Sequence, residues 1–200
     1  MIRDAYEQAA TLFVETVTQV GAAQWNLVAL GEWTVRDLVG HANRALLTVE
    51  TYLDNPSETV DVARPADYFL RASALLADPA AVAARGREAG QALGDDPPAT
   101  VEETATRVLA RVQQTPDDTC LTTPVGGMRL IDYLPSRVFE LTIHTLDLGT
   151  AISADIDLPE AASALTLGMI TELAQQRGKA APLLLAATGR RALPSAFSVL

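Results

Sequence analysis

Residues 132–148 have the sequence DYLPSRVFELTIHTLDL, in which apolar residues recur at the spacing of an amphipathic helix. The side predicted to face inward is formed by Leu134, Val138, Leu141 and Thr145. Asp132 is the expected N-cap, and Pro135 would occupy the first turn, where no backbone amide loses a partner. The sequence therefore predicts a buried helix from Asp132 to Leu148.

Three polar residues of this helix are candidates for chemistry. Glu140 and His144 are four positions apart, so their side chains stack on one face beside the inward side. Arg137 lies one turn before Glu140 on nearly the same face. A buried carboxylate is costly unless it is paired with a cation or binds a metal ion. Spacing alone leaves two interpretations open, because an i,i+4 Glu–His pair is also a common surface salt bridge.

Similar periodicity predicts helices on both sides of this segment. The expected helices are about Arg3–Val20, Val35–Leu53, Ala66–Leu93 with a break at Asp78–Pro79, Thr100–Thr115 and Pro159–Arg177. Two of them should begin with a capping box, formed by Thr34 with Asp37 and by Thr100 with Glu103. Residues 182–200 are expected to form two short extended pieces around a turn at residues 188–191. Helices dominate and strands are marginal, which favours a mostly all-α bundle.

Composition narrows the classes of function. The chain has 200 residues and a formal net charge of −10, which disfavours nucleic acid and anionic membrane surfaces as partners. The single cysteine, Cys120, excludes an intramolecular disulfide. The sequence has no apolar signal core and no apolar run of roughly 18 residues, so the cytoplasm is the expected compartment.

The second histidine adds a candidate ligand on another helix. His41 lies on the Val35–Leu53 helix, at the edge of its apolar stripe beside Leu38 and Ala45. Helical bundles commonly build metal sites from side chains on facing helices. Two imidazoles and one carboxylate would suit zinc with open positions, while nickel, iron and manganese stay open as alternatives. Spacing cannot show whether His41 approaches the other two residues, and an interior histidine is more often a hydrogen-bonded packing residue.

Two motifs strengthen the metal hypothesis. Residues 33–41 read WTVRDLVGH and residues 137–148 read RVFELTIHTLDL. Together, W-T-V-x-D-L-x-x-H and R-V-x-E-x-x-x-H-x-x-D-L resemble the signatures of the mycothiol-dependent maleylpyruvate isomerase family, within the DinB-like metal-binding superfamily. The resemblance implies a DinB-like four-helix bundle over residues 1–150, followed by a short C-terminal extension, a helix plus extended segments, over residues 151–200. It also implies that His41, Glu140 and His144 are metal ligands.

The resemblance further implies an activity. Such enzymes use a low-molecular-weight thiol, mycothiol, together with the metal ion, and we expect a maleylpyruvate isomerase-like or thiol S-transferase activity on a small electrophile. The resemblance also allows the protein to form a homodimer. Arg137 is the candidate catalytic residue, either holding a substrate carboxylate or forming a salt bridge with Glu140.

Two further carboxylates are candidates for a supporting role at the site. Asp37 and Asp147 could each orient a histidine or could only stabilise their helix, and Trp33 is expected to be a packing residue.

The first alternative function is a non-catalytic metal- or ligand-binding protein of the same fold, with Tyr52, Tyr133 or leucines filling the site. The second is a metal-dependent hydrolase, which would need a spare carboxylate as general base; Asp37 is the only one that the motifs offer.

Overall fold

A computed structural model describes residues 1–75 and 78–200, and in these ranges the chain forms eight helices and two antiparallel pairs of short strands. In chain order the elements are α1 (Ile2–Thr18), β1 (Val28–Leu30), β2 (Trp33–Thr34), α2 (Val35–Leu53), α3 (Pro65–Leu75), α4 (Pro79–Ala92), α5 (Pro97–Gln114), β3 (Cys120–Thr123), β4 (Gly126–Arg129), α6 (Leu130–Ile152), α7 (Glu160–Gln176) and α8 (Ala180–Ala187).

Four helices form the central bundle. Helix α1 packs against α6 and α5, and α2 packs against the same two helices, so each helix has two neighbours around one core. The core between them is apolar and includes Phe13, Leu46, Val108, Leu134 and Leu141, none of which has appreciable exposed surface. The mostly all-α, DinB-like bundle expected from the sequence is therefore confirmed.

Helices α3 and α4 cover one side of the bundle. Helix α4 packs along α2, and α3 packs on α6 and α7. Helix α4 approaches α2 so closely that a Cβ at Gly40 would lie 2.3 Å from the backbone nitrogen of Gly90 and 2.4 Å from the carbonyl carbon of Ala89. Gly86 makes similar room for the indole of Trp33, whose Nε1 donates to the Ala83 carbonyl at 3.2 Å. Small residues thus seat α4 and Trp33 against the start of α2.

Most predicted helices are confirmed to within two residues. Helix α2 has the expected bounds, and Thr34 and Asp37 form its capping box. Asp78 caps α4 with Pro79 in its first turn, as expected for the break in the third helical region. Residues 76 and 77 of that predicted region lie outside the described residues. Helix α7 ends before Gly178, whose φ is +66°.

The expected capping box at Thr100 is wrong. Helix α5 begins three residues earlier, at Pro97, and the Asp96 side chain accepts a hydrogen bond from the Ala99 amide. Two prolines in the first turn favour this earlier start, because their missing N–H groups would have had no partner there. Thr100 instead donates its hydroxyl to the Leu93 carbonyl at 2.8 Å, which ties α5 to the end of α4.

Asp132 does not cap α6, and Pro135 does not lie in its first turn. The helix begins at Leu130 with Arg129 as N-cap, so Asp132 falls within the first turn and Pro135 in the second. Asp132 accepts a hydrogen bond from Arg129 Nε at 2.5 Å. The hairpin of β3 and β4 delivers the chain directly to Leu130 and accounts for the earlier start. The sequence had indicated only turns there.

The C-terminal tail also differs from the expectation. Leu183–Leu185 were predicted to be extended but lie in α8, where Pro182 occupies the first turn and alanines and leucines favour a helix. The predicted turn at residues 188–191 is present, with Gly189 at a φ of +71°. Residues 192–200 have no helix or strand.

Helix α7 and the end of the chain contact the bundle through a second apolar cluster. Its buried members are Ala66, Phe69, Phe139, Met169, Leu173, Ala174 and Val199. The division into residues 1–150 and 151–200 stays a prediction, and residue 150 lies inside α6. None of the described helices is both long enough and apolar enough to traverse a lipid bilayer.

Candidate metal centre

Two helices that are distant in sequence bring the three predicted ligands together. His41 lies in the second turn of α2, and Glu140 and His144 lie on successive turns of α6. One ligand atom from each of the three side chains lies within 4.8 Å of the other two. The packing of α2 against α6 produces this cluster, which spacing along the chain could not establish.

His144 is held at both ring nitrogens. Its Nε2 lies 3.3 Å from Glu140 Oε2, and its Nδ1 lies 3.0 Å from Asp147 Oδ2. Both contacts follow from helical spacing, since the carboxylates are one turn before and one turn after the imidazole. Asp147 therefore contacts His144 in the way that an orienting carboxylate would, and a proton on Nδ1 leaves Nε2 directed toward Glu140.

His41 is fixed by packing instead of hydrogen bonding. Its ring lies 4.4 Å from the Trp33 indole and 4.9 Å from the His144 ring, measured between centroids. Its Nδ1 is buried and has no hydrogen-bond partner among the described residues. Asp37 does not serve as that partner, because its carboxylate accepts from the backbone and hydroxyl of Thr34 in the capping box. Of its two expected roles, Asp37 thus performs the structural one.

The protonation states of the three groups differ sharply. Burial, and then the nearby charge of His144, lower the pKa of His41 to about 4. Burial also disfavours a charged His144, but its contacts with Asp147 and Glu140 outweigh this and raise its pKa to about 9. Burial raises the pKa of Glu140, but His144 and the Arg137 charge outweigh it and lower the pKa to about 2. In the metal-free protein near neutral pH, His41 is neutral while Glu140 and His144 form an ion pair.

Arg137 is buried but does not pair with Glu140. Among the described residues it has no carboxylate within 4.0 Å. Its guanidinium carbon instead lies 4.9 Å from the centre of the Tyr133 ring and 5.5 Å from that of Tyr68. Its Nε donates to Ser136 Oγ at 3.1 Å. Of the two roles left open for Arg137, the salt bridge with Glu140 is therefore wrong, and the guanidinium lies against the Tyr133 and Tyr68 rings instead.

A cavity of about 330 Å³ opens beside the cluster. Its lining includes His41, Glu140, Arg137, Arg44, Thr48, Tyr52 and Tyr68. Tyr133 does not fill this space, because its hydroxyl donates to Thr48 while its ring packs against Tyr52 and Tyr68. The volume lies within the range of ordinary small-molecule sites.

Sequence reasoning did not assign Arg44, Thr48 or Tyr68 to this site. Arg44, Thr48 and Tyr52 lie three, seven and eleven positions after His41, so the helical face of His41 could have indicated them. Tyr68 belongs to α3, and no sequence signal connects it with the site.

The cluster fits a divalent metal ion. Two imidazoles and a carboxylate are the donors that zinc and similar ions accept in proteins. The 3.3 Å between Glu140 Oε2 and His144 Nε2 equals about the edge of a tetrahedron with metal–ligand bonds of roughly 2.1 Å. The unpartnered Nδ1 of His41 and the orienting contact from Asp147 agree with this.

The fold and the cluster together define a DinB-like helical bundle with a site able to bind a metal ion. The sequence profile described as mycothiol maleylpyruvate isomerase N-terminal domain matches residues 6–149. The match covers more than half of the chain, which therefore belongs to this family. No curated protein and no solved structure matches the chain significantly.

Proposed function

We propose that this protein is a metal- and thiol-dependent enzyme of the cytoplasm that isomerises a small electrophile or transfers a thiol to it. The observation that carries the proposal is a three-ligand cluster beside an open cavity of about 330 Å³. Family membership supports mycothiol, or another low-molecular-weight thiol, as the cofactor. Zinc is the proposed metal because the ligand set leaves positions open, as catalytic zinc sites do.

His41, Glu140 and His144 would be the ligands. His41 is neutral and has a free ring lone pair, Glu140 is ionised, and His144 offers Nε2 once its proton has left. A bound divalent cation would supply the positive charge that favours the thiolate form of a thiol. A bound thiol would supply the nucleophile for cis–trans isomerisation of an activated double bond or for thiol transfer.

Arg137 is the proposed catalytic residue of the chain itself. It places a fixed positive charge on the cavity wall, one helical turn from Glu140. Negative charge on a reacting molecule would be stabilised there without reorganisation of the protein, because aromatic rings already hold the guanidinium.

The alternative is a non-catalytic metal- or ligand-binding protein of the same fold. The open cavity argues against a protein that only holds a metal ion, which needs no such space beside the ligands, while thiol-dependent turnover separates the enzyme from a protein that binds a small ligand. A hydrolase is less favoured still, because Asp37, the spare carboxylate that it would need, is committed to the capping box of α2.

Two measurements test the proposal. The first is elemental analysis of the purified protein and of the His41→Ala and His144→Ala variants; we expect a divalent metal in the wild type and its loss in both variants. The second is thiol-dependent consumption of maleylpyruvate and related electrophiles by the metal-loaded protein. Full metal retention in both variants would refute the ligand assignment, and inertness toward every thiol and electrophile pair would favour the binding protein.

A further inference from the structure

Arg137 is a buried cation that no carboxylate contacts directly in the described part of the chain. Only 9 % of the surface of Arg137 is exposed to solvent. Burial of an unpaired charge is costly, and the usual remedies are a carboxylate neighbour or a change of protonation. An arginine side chain is not deprotonated in proteins, so Arg137 keeps its charge. No described carboxylate lies within 4.0 Å of it. Glu140 is near enough for the two charges to interact, but it makes no direct contact with the guanidinium, so the terminal N–H groups of Arg137 remain open to an anionic ligand.

The unused donors of Arg137 face the cavity. Its Nε is occupied by Ser136, but its two terminal nitrogens donate to no described residue. Neither nitrogen is a fully enclosed polar atom without a partner, so both remain accessible from the cavity that Arg137 lines. Two parallel N–H groups on a guanidinium edge match the two oxygens of a carboxylate.

The surroundings hold that edge in place and add further donors. Tyr133 from α6 and Tyr68 from α3 lie against the guanidinium, and their rings meet edge to face at 5.2 Å. The hydroxyls of Tyr52 and Tyr68 have no hydrogen-bond partner among the described residues, and both side chains line the cavity. Arg44, an exposed cation without a described partner, stands at the same wall. The cavity is thus rich in donors and cations on a protein of net charge −10.

We propose that Arg137, with Tyr52 and Tyr68, forms a carboxylate-binding subsite that selects an anionic ligand and places its reacting end at the His41–Glu140–His144 cluster. This inference deepens the proposed function and rests on it for the identity of the reacting end. The carboxylate belongs either to the electrophile or to the thiol. Arg44 assists at the mouth by attracting the anion before Arg137 binds it.

Direct binding tests the subsite without any turnover. Metal-free protein is titrated calorimetrically with fumarate or with its neutral diamide, fumaramide, and separately with 3-mercaptopropionate or the neutral 2-mercaptoethanol. We expect at least one carboxylate to bind more tightly than its neutral counterpart. In the Arg137→Met variant that affinity should fall about 10- to 100-fold while affinity for the neutral compound stays unchanged.

The two pairs of ligands identify the source of the carboxylate. Preference for fumarate alone assigns the subsite to the electrophile, and preference for 3-mercaptopropionate alone assigns it to the thiol. The matched control is Arg107→Met, which removes an arginine paired with Glu50 on the surface and should leave every affinity unchanged. The proposal is overturned if neither carboxylate is preferred, or if the preference survives in Arg137→Met.

A second variant keeps the test decisive if Arg137→Met fails to fold. Tyr68→Phe removes one donor but keeps the ring, and it should weaken carboxylate binding about 3- to 10-fold with an unchanged melting temperature; unchanged carboxylate binding in this variant would then contradict the subsite. The proposed function has a separate failure: carboxylate binding that depends on Arg137, combined with no thiol-dependent activity, leaves the subsite in place and removes the enzyme assignment.

Discussion

Protonation of a single residue, His144, should govern metal binding near neutral pH. Its raised pKa of about 9 means that it still carries a proton at pH 7, and a metal ion must displace that proton to reach Nε2. His41, with a pKa of about 4, and Glu140, with a pKa of about 2, have none to lose there. We therefore expect about one proton released per zinc ion, and an affinity that rises about tenfold per pH unit until the pKa of His144 is reached.

Calorimetric zinc titrations in buffers of different ionisation enthalpy measure that proton directly. The His144→Ala variant serves as the control and should bind zinc weakly with no proton release. A release near zero in the wild type would mean that His144 is neutral in the metal-free protein, which would contradict the electrostatics described above.

Asp147 should strengthen metal binding without touching the metal ion. Its carboxylate lies 3.0 Å from Nδ1 of His144 and keeps the ring oriented. The Asp147→Asn variant retains the size of the side chain but loses its charge, so we expect zinc affinity to fall about 10- to 100-fold. Asp132→Asn on the same helix is the control, because Asp132 pairs with Arg129 at the helix start. Equal zinc affinity in the two variants would rule out this orienting role.

Helical spacing determines some contacts of the candidate site but not others. The contacts of His144 with Glu140 and Asp147 follow from helical spacing, so the motif contains them. The role of Asp37 could not be decided in advance, because a carboxylate three residues after Thr34 and four before His41 can reach either one. The contact of Arg137 with Tyr68 joins residues from two helices. Contacts between residues of different helices cannot be predicted from the spacing of residues along the chain.

At the scale of the element, α4 sets the position of α2 and therefore of His41. Gly40 precedes His41, and a Cβ at that position would meet the α4 backbone at 2.3 to 2.6 Å. Backbone atoms cannot move aside as a flexible side chain can, so Gly40→Ala should separate the two helices. We expect a loss of about 1–3 kcal/mol in the free energy of unfolding, together with weaker zinc binding.

Gly168→Ala is the matched control for that prediction. Gly168 also lies within a helix, α7, but a Cβ there meets nothing within 4 Å. The alanine should therefore raise stability by up to about 1 kcal/mol through helix propensity alone. Chemical denaturation of the two variants gives both values, and a Gly40→Ala variant as stable as Gly168→Ala would show that the α2–α4 approach is not as tight as described.

Element boundaries were predictable where one start signal stood alone. Thr34 with Asp37 had no competitor, and α2 begins where that capping box places it. Helix α5 had two competing signals, and Asp96 followed by two prolines prevailed over Thr100. The β3–β4 hairpin was missed because its strands have four residues each and lack regular alternation, which gives periodicity too little length to detect.

At the scale of the whole molecule, the bundle was predictable from the number and periodicity of the helices, but their arrangement was not. Helices α2 and α6 begin nearly 100 residues apart, and the site exists only because they are neighbours in the ring of four. The motif resemblance supplied that adjacency at the sequence level. A bound metal ion would then connect two distant parts of the chain, which has a measurable thermodynamic consequence.

Removal of the metal ion should destabilise the entire bundle. An ion that binds only the folded state, where His41 meets Glu140 and His144, stabilises it by about 2.7 kcal/mol when free zinc is 100 times the dissociation constant. For a chain of this length the melting temperature should be roughly 5–10 °C higher with zinc than with EDTA. The control is the double variant His41→Ala/His144→Ala, which should melt at one temperature in both conditions. If zinc raised its melting temperature as much as that of the wild type, the ion would be binding elsewhere, among the 25 acidic residues of the chain, and α2 and α6 would not be joined by a metal.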